Sequence, residues 1–141
     1  MSDPTETLIN EVRLLYQSLV QIGERLHAGS QVSLGMRAVL EFLERNGPAT
    51  VPTMARARRV TRQRIQTLVN ALLGQALVET VTNPASRRSP LIRLTQRGAK
   101  TIRTMRQRET AKLAAPISSD DLQQATRTLA ALRLALEEEG R

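Results

Sequence analysis

Two apolar stripes with a seven-residue repeat lie near the two ends of the chain. Spacings of alternating three and four residues are typical of a helix that buries one narrow face. We therefore expect one long helix within residues 1–32 and another within 110–141, the second beginning near Ser119 and ending at Gly140. The stripes are made of Leu8, Val12, Leu15, Leu19, Ile22 and Leu26 in the first segment, and of Leu122, Ala125, Leu129, Leu132 and Leu136 in the second.

Both stripes need an apolar partner surface. Packing within the chain is one alternative, but pairing with a second copy accounts for both stripes in so short a protein. We therefore expect a homodimer held together by the terminal helices. The side chains expected in this interface are Leu8, Val12, Leu15, Leu19, Leu122, Leu129, Leu132 and Leu136.

The segment between the terminal helices, 33–109, predicts three short helices. The first covers Ser33–Arg45 and stops at Asn46-Gly47-Pro48, because glycine and proline both break helices. The second covers Val51–Ala57, and after a turn at Arg58-Arg59-Val60 the third covers Arg62–Gln75, with Thr61 as its N-cap. The residues expected in the core are Val39, Leu40, Phe42 and Leu43 of the first helix and Ile65, Leu68, Val69, Leu72 and Leu73 of the third.

A β-hairpin is predicted after these helices. Leu77–Thr82 and Leu91–Leu94 are rich in β-branched and aliphatic residues, and a loop with a proline at either side separates them. Thr95 is expected to cap a further helix that runs to about Ala115. The 141 residues thus predict a single domain, mainly α with a small β-hairpin wing: a winged helix-turn-helix with long N- and C-terminal dimerisation helices.

Charge is distributed unevenly along the chain. The net charge is +8, yet between Gly47 and Arg108 thirteen basic residues face one acid, Glu79, a net charge of +12. The remaining ends carry eight basic and twelve acidic residues. A basic middle between acidic ends is typical of a module that binds a polyanion, and a solvated basic surface without a partner is the simpler alternative.

The third short helix has a polar face that suits the reading of DNA bases. Arginine pairs with guanine, and glutamine or asparagine pairs with adenine, in the major groove. An ordinary solvent-exposed face is the alternative, although this one holds no acid. The expected base contacts come from Arg62, Gln63, Gln66, Thr67 and Asn70, and the expected phosphate and minor-groove contacts from Arg56, Arg58, Arg59, Thr61, Arg64, Arg87, Arg88 and Ser89.

Several classes of function are disfavoured by composition. Without cysteine and with His27 as the single histidine, neither a disulfide nor a zinc or other metal site is expected, and no cofactor or enzymatic motif is present. Tyr16 and Phe42 are the only aromatic residues, which disfavours single-strand binding by base stacking. No signal peptide or membrane segment is visible, so a cytoplasmic protein without membrane contact is expected.

The stretch from Met54 to Thr101 resembles the multiple-antibiotic-resistance-regulator (MarR) family of bacterial winged-helix repressors. The residues that carry the resemblance are Met54-Ala55-Arg56-Ala57, Val60-Thr61-Arg62-Gln63, Leu77-Val78-Glu79, Arg87-Arg88, and Leu94-Thr95 with Gly98. The resemblance implies a homodimer with interleaved terminal helices, which binds a pseudo-palindromic operator in double-stranded DNA. It also implies control by a small-molecule effector that enters between the dimerisation helices and the DNA-binding lobe.

Two positions depart from the family pattern. Ser86 stands where many members have Asp before the wing arginines, and Ala76 stands where Gly is usual, so a left-handed turn there would be strained. Candidate effector-binding residues are Tyr16, His27 and Arg37, although Tyr16 also fits interface packing and His27 an exposed helix end. The alternatives to a regulator are a sequence-tolerant architectural DNA-binding protein and a protein-interaction module.

Overall fold

The computed structural model describes residues 3–113 and 116–140. It confirms the expected class, a mainly helical chain with one small antiparallel sheet. The chain divides into two compact units, Met1–Glu109 and Thr110–Arg141. In order, the elements are α1 (Pro4–Leu26), α2 (Leu34–Asn46), α3 (Val51–Arg58), α4 (Arg62–Gly74), β1 (Val78–Val81), β2 (Leu91–Leu94), α5 (Gln96–Leu113) and α6 (Ser119–Glu139).

α1 carries the first apolar stripe on a largely exposed helix. The Asp3 side chain caps its N-terminus by accepting a hydrogen bond from the Thr5 amide (2.8 Å), and proline occupies the first turn. Val12, Leu15 and Leu19 are 38%, 53% and 40% exposed, and Gly23 is the helix's only buried residue among those described. Much of this apolar face is therefore exposed in the part of the chain that the structure describes.

The second unit contains α6 and the second stripe. The helix begins at Ser119, as expected, and its N-cap is Ser118, whose hydroxyl accepts from the Asp121 amide (3.1 Å). Gly140 follows its last turn, as expected. No residue of α6 is buried, and Leu122 and Leu136 are more than half exposed.

The core of the first unit lies between α2, α3, α4, the sheet and the first half of α5. The buried apolar residues there are Val32, Met36, Val39, Leu40, Leu43, Ala49, Met54, Ala55, Ile65, Leu68, Val69, Leu72, Leu77, Val78, Ile92, Ile102 and Met105. Phe42 is half-buried and packs against this cluster. Leu73, expected in the core, is instead 37% exposed, because it sits beside the buried arc of α4.

The sheet is a two-stranded hairpin in which Val78 pairs with Leu94 and Val81 with Leu91. A further bridge joins Ala49 to Ile92, which attaches the start of α3 to the wing. β1 is shorter than the expected Leu77–Thr82. The described part of α5 ends at Leu113, and the expected end at Ala115 lies outside the described residues.

Two helices end in a left-handed residue that is not glycine. After α4, Ala76 has a φ of 57°, and the Leu77 amide donates to the Leu72 carbonyl (3.0 Å), which is a Schellman motif. After α3, Arg59 has a φ of 55°, and the Val60 amide donates to the Ala55 carbonyl (3.1 Å). Both positions favour glycine, so both carry backbone strain.

The start of α5 is fastened to the joint between α4 and β1. The Thr95 amide donates to the Leu77 carbonyl (3.1 Å), and the Thr95 hydroxyl donates to the Ala76 carbonyl (2.7 Å). Gly98 then passes so close that a Cβ atom on it would lie 1.9 Å from the Leu77 oxygen. Only glycine fits at this contact.

Over the part of the chain that the structure describes, none of the helices is long and apolar enough to cross a membrane.

Candidate nucleic-acid interface

α3, a tight turn and α4 form the helix-turn-helix. Thr50 caps α3 and Thr61 caps α4, each accepting a hydrogen bond from the amide three residues later (3.2 and 3.0 Å). The left-handed Arg59 lies in the turn between them. Local sequence therefore fixes this motif, because its caps and its turn are made within twelve residues.

The face of α4 opposite its buried arc is polar and exposed. The side chains on it are Arg62, Gln63, Arg64, Gln66, Thr67 and Asn70. The Gln66 Nε2 group donates to Asn70 Oδ1 (2.9 Å), and the Thr67 hydroxyl donates to the Gln63 carbonyl (3.0 Å). The helix thus presents two arginines, Arg62 and Arg64, that pair with no acid among the described residues, together with an ordered amide pair.

The loop of the wing is ordered by one asparagine near its base. The Asn83 Nδ2 group donates to the Ser89 carbonyl (2.9 Å), and Asn83 Oδ1 accepts from the Ala85 amide (3.0 Å). A carboxylate at position 86 is therefore not needed to shape this loop. Arg87 and Arg88 are exposed, and neither pairs with an acid among the described residues.

A groove of about 340 Å³ separates α4 from the wing. It brings Arg62, Gln63 and Gln66 of the helix to Arg88 and Ser89 of the wing. Leu73 also lines this groove, so its exposed apolar side chain forms part of the groove surface and not of the core. The other lining residues are Val51, Pro52, Val69, Thr80, Pro90 and Ile92. Sequence reasoning missed Pro52, Thr80 and Pro90, whose place here depends on the fold of the hairpin over α4.

The basic charge of this region is left unneutralised. Glu79, its only acid, forms a cross-strand ion pair with Arg93 (2.7 Å). The other arginines of the helix-turn-helix and wing make no ion pair with an acid within residues 3–113 and 116–140. They are Arg56, Arg58, Arg59, Arg62, Arg64, Arg87 and Arg88, and all are exposed.

Comparison with known proteins agrees with this geometry. A sequence profile of the MarR family matches residues 37–89. The crystal structure of the MarR family transcription regulator SP03579 is 31% identical in sequence, covers 95% of this chain and 93% of its own, and superposes with a TM-score of 0.79. The chain belongs to the MarR family.

Two other proteins extend the comparison. The uncharacterised protein Rv2011c of Mycobacterium tuberculosis is 32% identical over 108 residues, which cover 77% of this chain and 75% of that protein. A MarR protein of Staphylococcus aureus, solved in complex with salicylate and kanamycin, shares the fold with a TM-score of 0.78 at 15% identity over 96% and 93% of the two chains. Both the expected family and its winged-helix regulator fold are confirmed.

In this MarR-family protein, two of the three candidate effector residues belong to an internal ion-pair network. Arg37 donates to both carboxylate oxygens of Glu109 (2.6 and 2.5 Å) and also pairs with Glu41. His27 Nε2 lies 3.1 Å from Glu109 Oε1. His27 lies at a helix end, as the C-cap of α1, but it is only 8% exposed, so the expected exposure of this residue is wrong.

The third candidate, Tyr16, is not part of this network. It is 67% exposed and precedes His27 by eleven residues, or about 16 Å along a helix. Sequence reasoning missed Glu109, the centre of the network, because nothing local marks a glutamate that bonds residues 72 and 82 positions away.

The network favours the charged forms of its carboxylates. Burial opposes the ionisation of Glu109, but hydrogen bonds from Arg37 and His27 outweigh it and hold its pKa below the ordinary value. Burial likewise opposes ionisation of Glu41, and Arg37 lowers the pKa of that group in the same way. Arg37 remains fully charged, since burial is outweighed by both carboxylates and its pKa is raised.

Proposed function

We propose that this MarR-family regulator is a homodimer that binds a pseudo-palindromic operator in double-stranded DNA and represses transcription from the promoter. Each protomer places α4 in a major groove, and the two grooves lie about one helical turn, roughly 34 Å, apart. The wing arginines Arg87 and Arg88 reach the adjacent minor groove. The observation that carries the proposal is the exposed, acid-free face of α4, which shares a groove with the wing.

The dimer supplies the spacing that the operator requires. Residues 1–32 and 110–141 are proposed as the dimerisation segments and 33–109 as the DNA-binding lobe. The apolar stripes of α1 and α6 support this, because both include exposed leucines among the described residues. Exposed leucines in a seven-residue repeat are stabilised by packing against a second such helix.

Control by a small molecule is proposed by analogy with the salicylate-bound Staphylococcus aureus protein. The site in this chain would draw on Tyr16, His27 and Arg37. Because Arg37 and His27 both hold Glu109, an anionic effector must compete with that carboxylate for them. Titration of salicylate into the protein–operator complex tests this: release of DNA supports the analogy, and unchanged binding at saturation rejects it.

The test of the main proposal is selection from a random duplex library, followed by salt-titrated binding to the selected sequence. We expect an inverted repeat with half-sites about 10 base pairs apart and a complex with the mass of two chains. Recovery of no motif, together with salt-sensitive binding, would instead support the sequence-tolerant architectural alternative.

Single alanine variants separate base reading from phosphate binding. Arg62→Ala is expected to cost about 1–3 kcal/mol on the selected operator and to relax one base position. Arg88→Ala is expected to weaken binding to all sequences and to flatten the salt dependence. Arg25→Ala removes an exposed arginine at the end of α1 and serves as the matched control. Unchanged operator affinity in Arg62→Ala would refute the assignment of α4.

A further inference from the structure

Gln66 and Asn70 form the one side-chain to side-chain hydrogen bond on the described surface of α4. They lie four residues apart, so their side chains share a face of the helix, and Gln66 Nε2 donates to Asn70 Oδ1 at 2.9 Å. Both residues are exposed, so neither needs this bond to satisfy a buried polar atom. The bond instead restricts the rotamers of a flexible glutamine before any ligand arrives.

The two residues differ in their access to the groove between α4 and the wing. Gln66 lines that groove with Arg62 and Gln63, whereas Asn70 does not. Asn70 is also one turn farther from the N-terminus of α4, and it is the N-terminal part of a recognition helix that contacts base edges. Its position therefore favours Gln66 as the residue that contacts the base, whereas Asn70 lies outside the groove.

The chemistry of adenine fits the bonding capacity that Gln66 retains. A bidentate contact with adenine needs an acceptor for N6–H and a donor for N7. The Gln66 carboxamide has one acceptor oxygen and two N–H groups. After one N–H is donated to Asn70, the oxygen and the second N–H remain for the base.

We propose that Asn70 is a positioning residue, which orients the Gln66 carboxamide toward one adenine in each half-site, and that Gln66 alone reads this base. The inference rests on the proposed operator binding. It revises the set of expected base contacts, because Asn70 acts through Gln66 and not on DNA.

A double-mutant cycle on the selected operator tests the proposal. Gln66→Ala, Asn70→Ala and the double variant are compared with the wild type against operators in which each base pair is replaced in turn. Alanine is the best helix former and both sites are exposed, so α4 is expected to remain folded, and equal melting temperatures check this. Asn70→Asp is the conservative variant, since it keeps an acceptor for Gln66.

Gln66→Ala is expected to lower discrimination at one adenine by about 5- to 150-fold. Asn70→Ala is expected to lower discrimination at that same adenine by about 2- to 10-fold, and to have no further effect there once Gln66 is alanine. Asn70→Asp is expected to retain the discrimination while weakening binding to every sequence, because it adds a negative charge.

Three results would overturn the inference while leaving the proposed function in place. The first is an effect of Asn70→Ala at a different base pair, the second is an undiminished effect in the Gln66→Ala background, and the third is no effect at all. Absence of any selected motif with the wild-type protein would instead overturn the proposed operator binding, and this inference with it.

Discussion

Replacing Ala76 by glycine is expected to stabilise the fold. Ala76 has a φ of 57°, and a residue with a Cβ atom loses about 1–2 kcal/mol in this left-handed conformation. Glycine avoids that loss, but its greater freedom in the unfolded chain costs about 0.5–1 kcal/mol. The Ala76 side chain is exposed, so its removal sacrifices little packing. Taken at the midpoints of the two ranges, the net gain is about 0.75 kcal/mol.

Urea denaturation measures this gain. With a slope near 2 kcal/mol per molar urea, the midpoint rises by about 0.2–0.5 M, and all proteins are compared at one concentration because a dimer's stability depends on it. Ala71→Gly is the matched control, since Ala71 is exposed within α4 and glycine there costs about 0.5–1 kcal/mol. If both variants lose stability equally, the left-handed conformation assigned to Ala76 is wrong.

Two further substitutions probe the contacts of α5. Gly98→Ala is expected to lower the free energy of unfolding by about 3 kcal/mol or more in denaturant titration, because its Cβ would meet the Leu77 oxygen. Gly74→Ala is the control and should cost nothing, because no atom lies within 4 Å of a Cβ there. Equal stabilities of the two variants would contradict the contact between Gly98 and Leu77. The lowered pKa of Glu109 stabilises the folded state above the unfolded glutamate pKa of about 4.3, and this contribution is lost as pH falls through the folded-state pKa. The Glu109→Gln variant should therefore be less stable than the wild type at neutral pH, and its free energy of unfolding should fall less steeply as the pH is lowered. If the free energy of unfolding depends on pH in the same way in both proteins, the Arg37–Glu109 pair is not the source of the acid sensitivity.

Elements with local signals could be predicted closely. The N-cap Thr61 was identified from residue type and position, because a cap binds an amide only three residues away. β2 matches its expected range, Leu91–Leu94, since Pro90 and Thr95 bound it. The family resemblance, with glycine usual at position 76, singled out Ala76 as strained in any left-handed turn, and this residue has a φ of 57°.

Features that depend on distant contacts could not be predicted. Glu109 contacts the buried His27, which lies 82 positions away in the sequence, and no sequence pattern pairs those two positions. Leu73 differs from its buried neighbour Leu72 only by 100° of rotation about α4, and the packing of α4 against the core decides which of them meets solvent. The residues proposed to contact DNA were chosen by chemistry, and their roles remain predictions.

The joint at Leu77 has a mechanical consequence. Its carbonyl receives the Thr95 amide and contacts Gly98, while Leu77 itself closes the end of α4. The end of α4, the start of the wing and the start of α5 thus meet at this one residue. A rotation of any one of them would disturb its contacts with the other two. We therefore expect a displacement at the start of α5 to be passed on to α4, the helix that faces the groove.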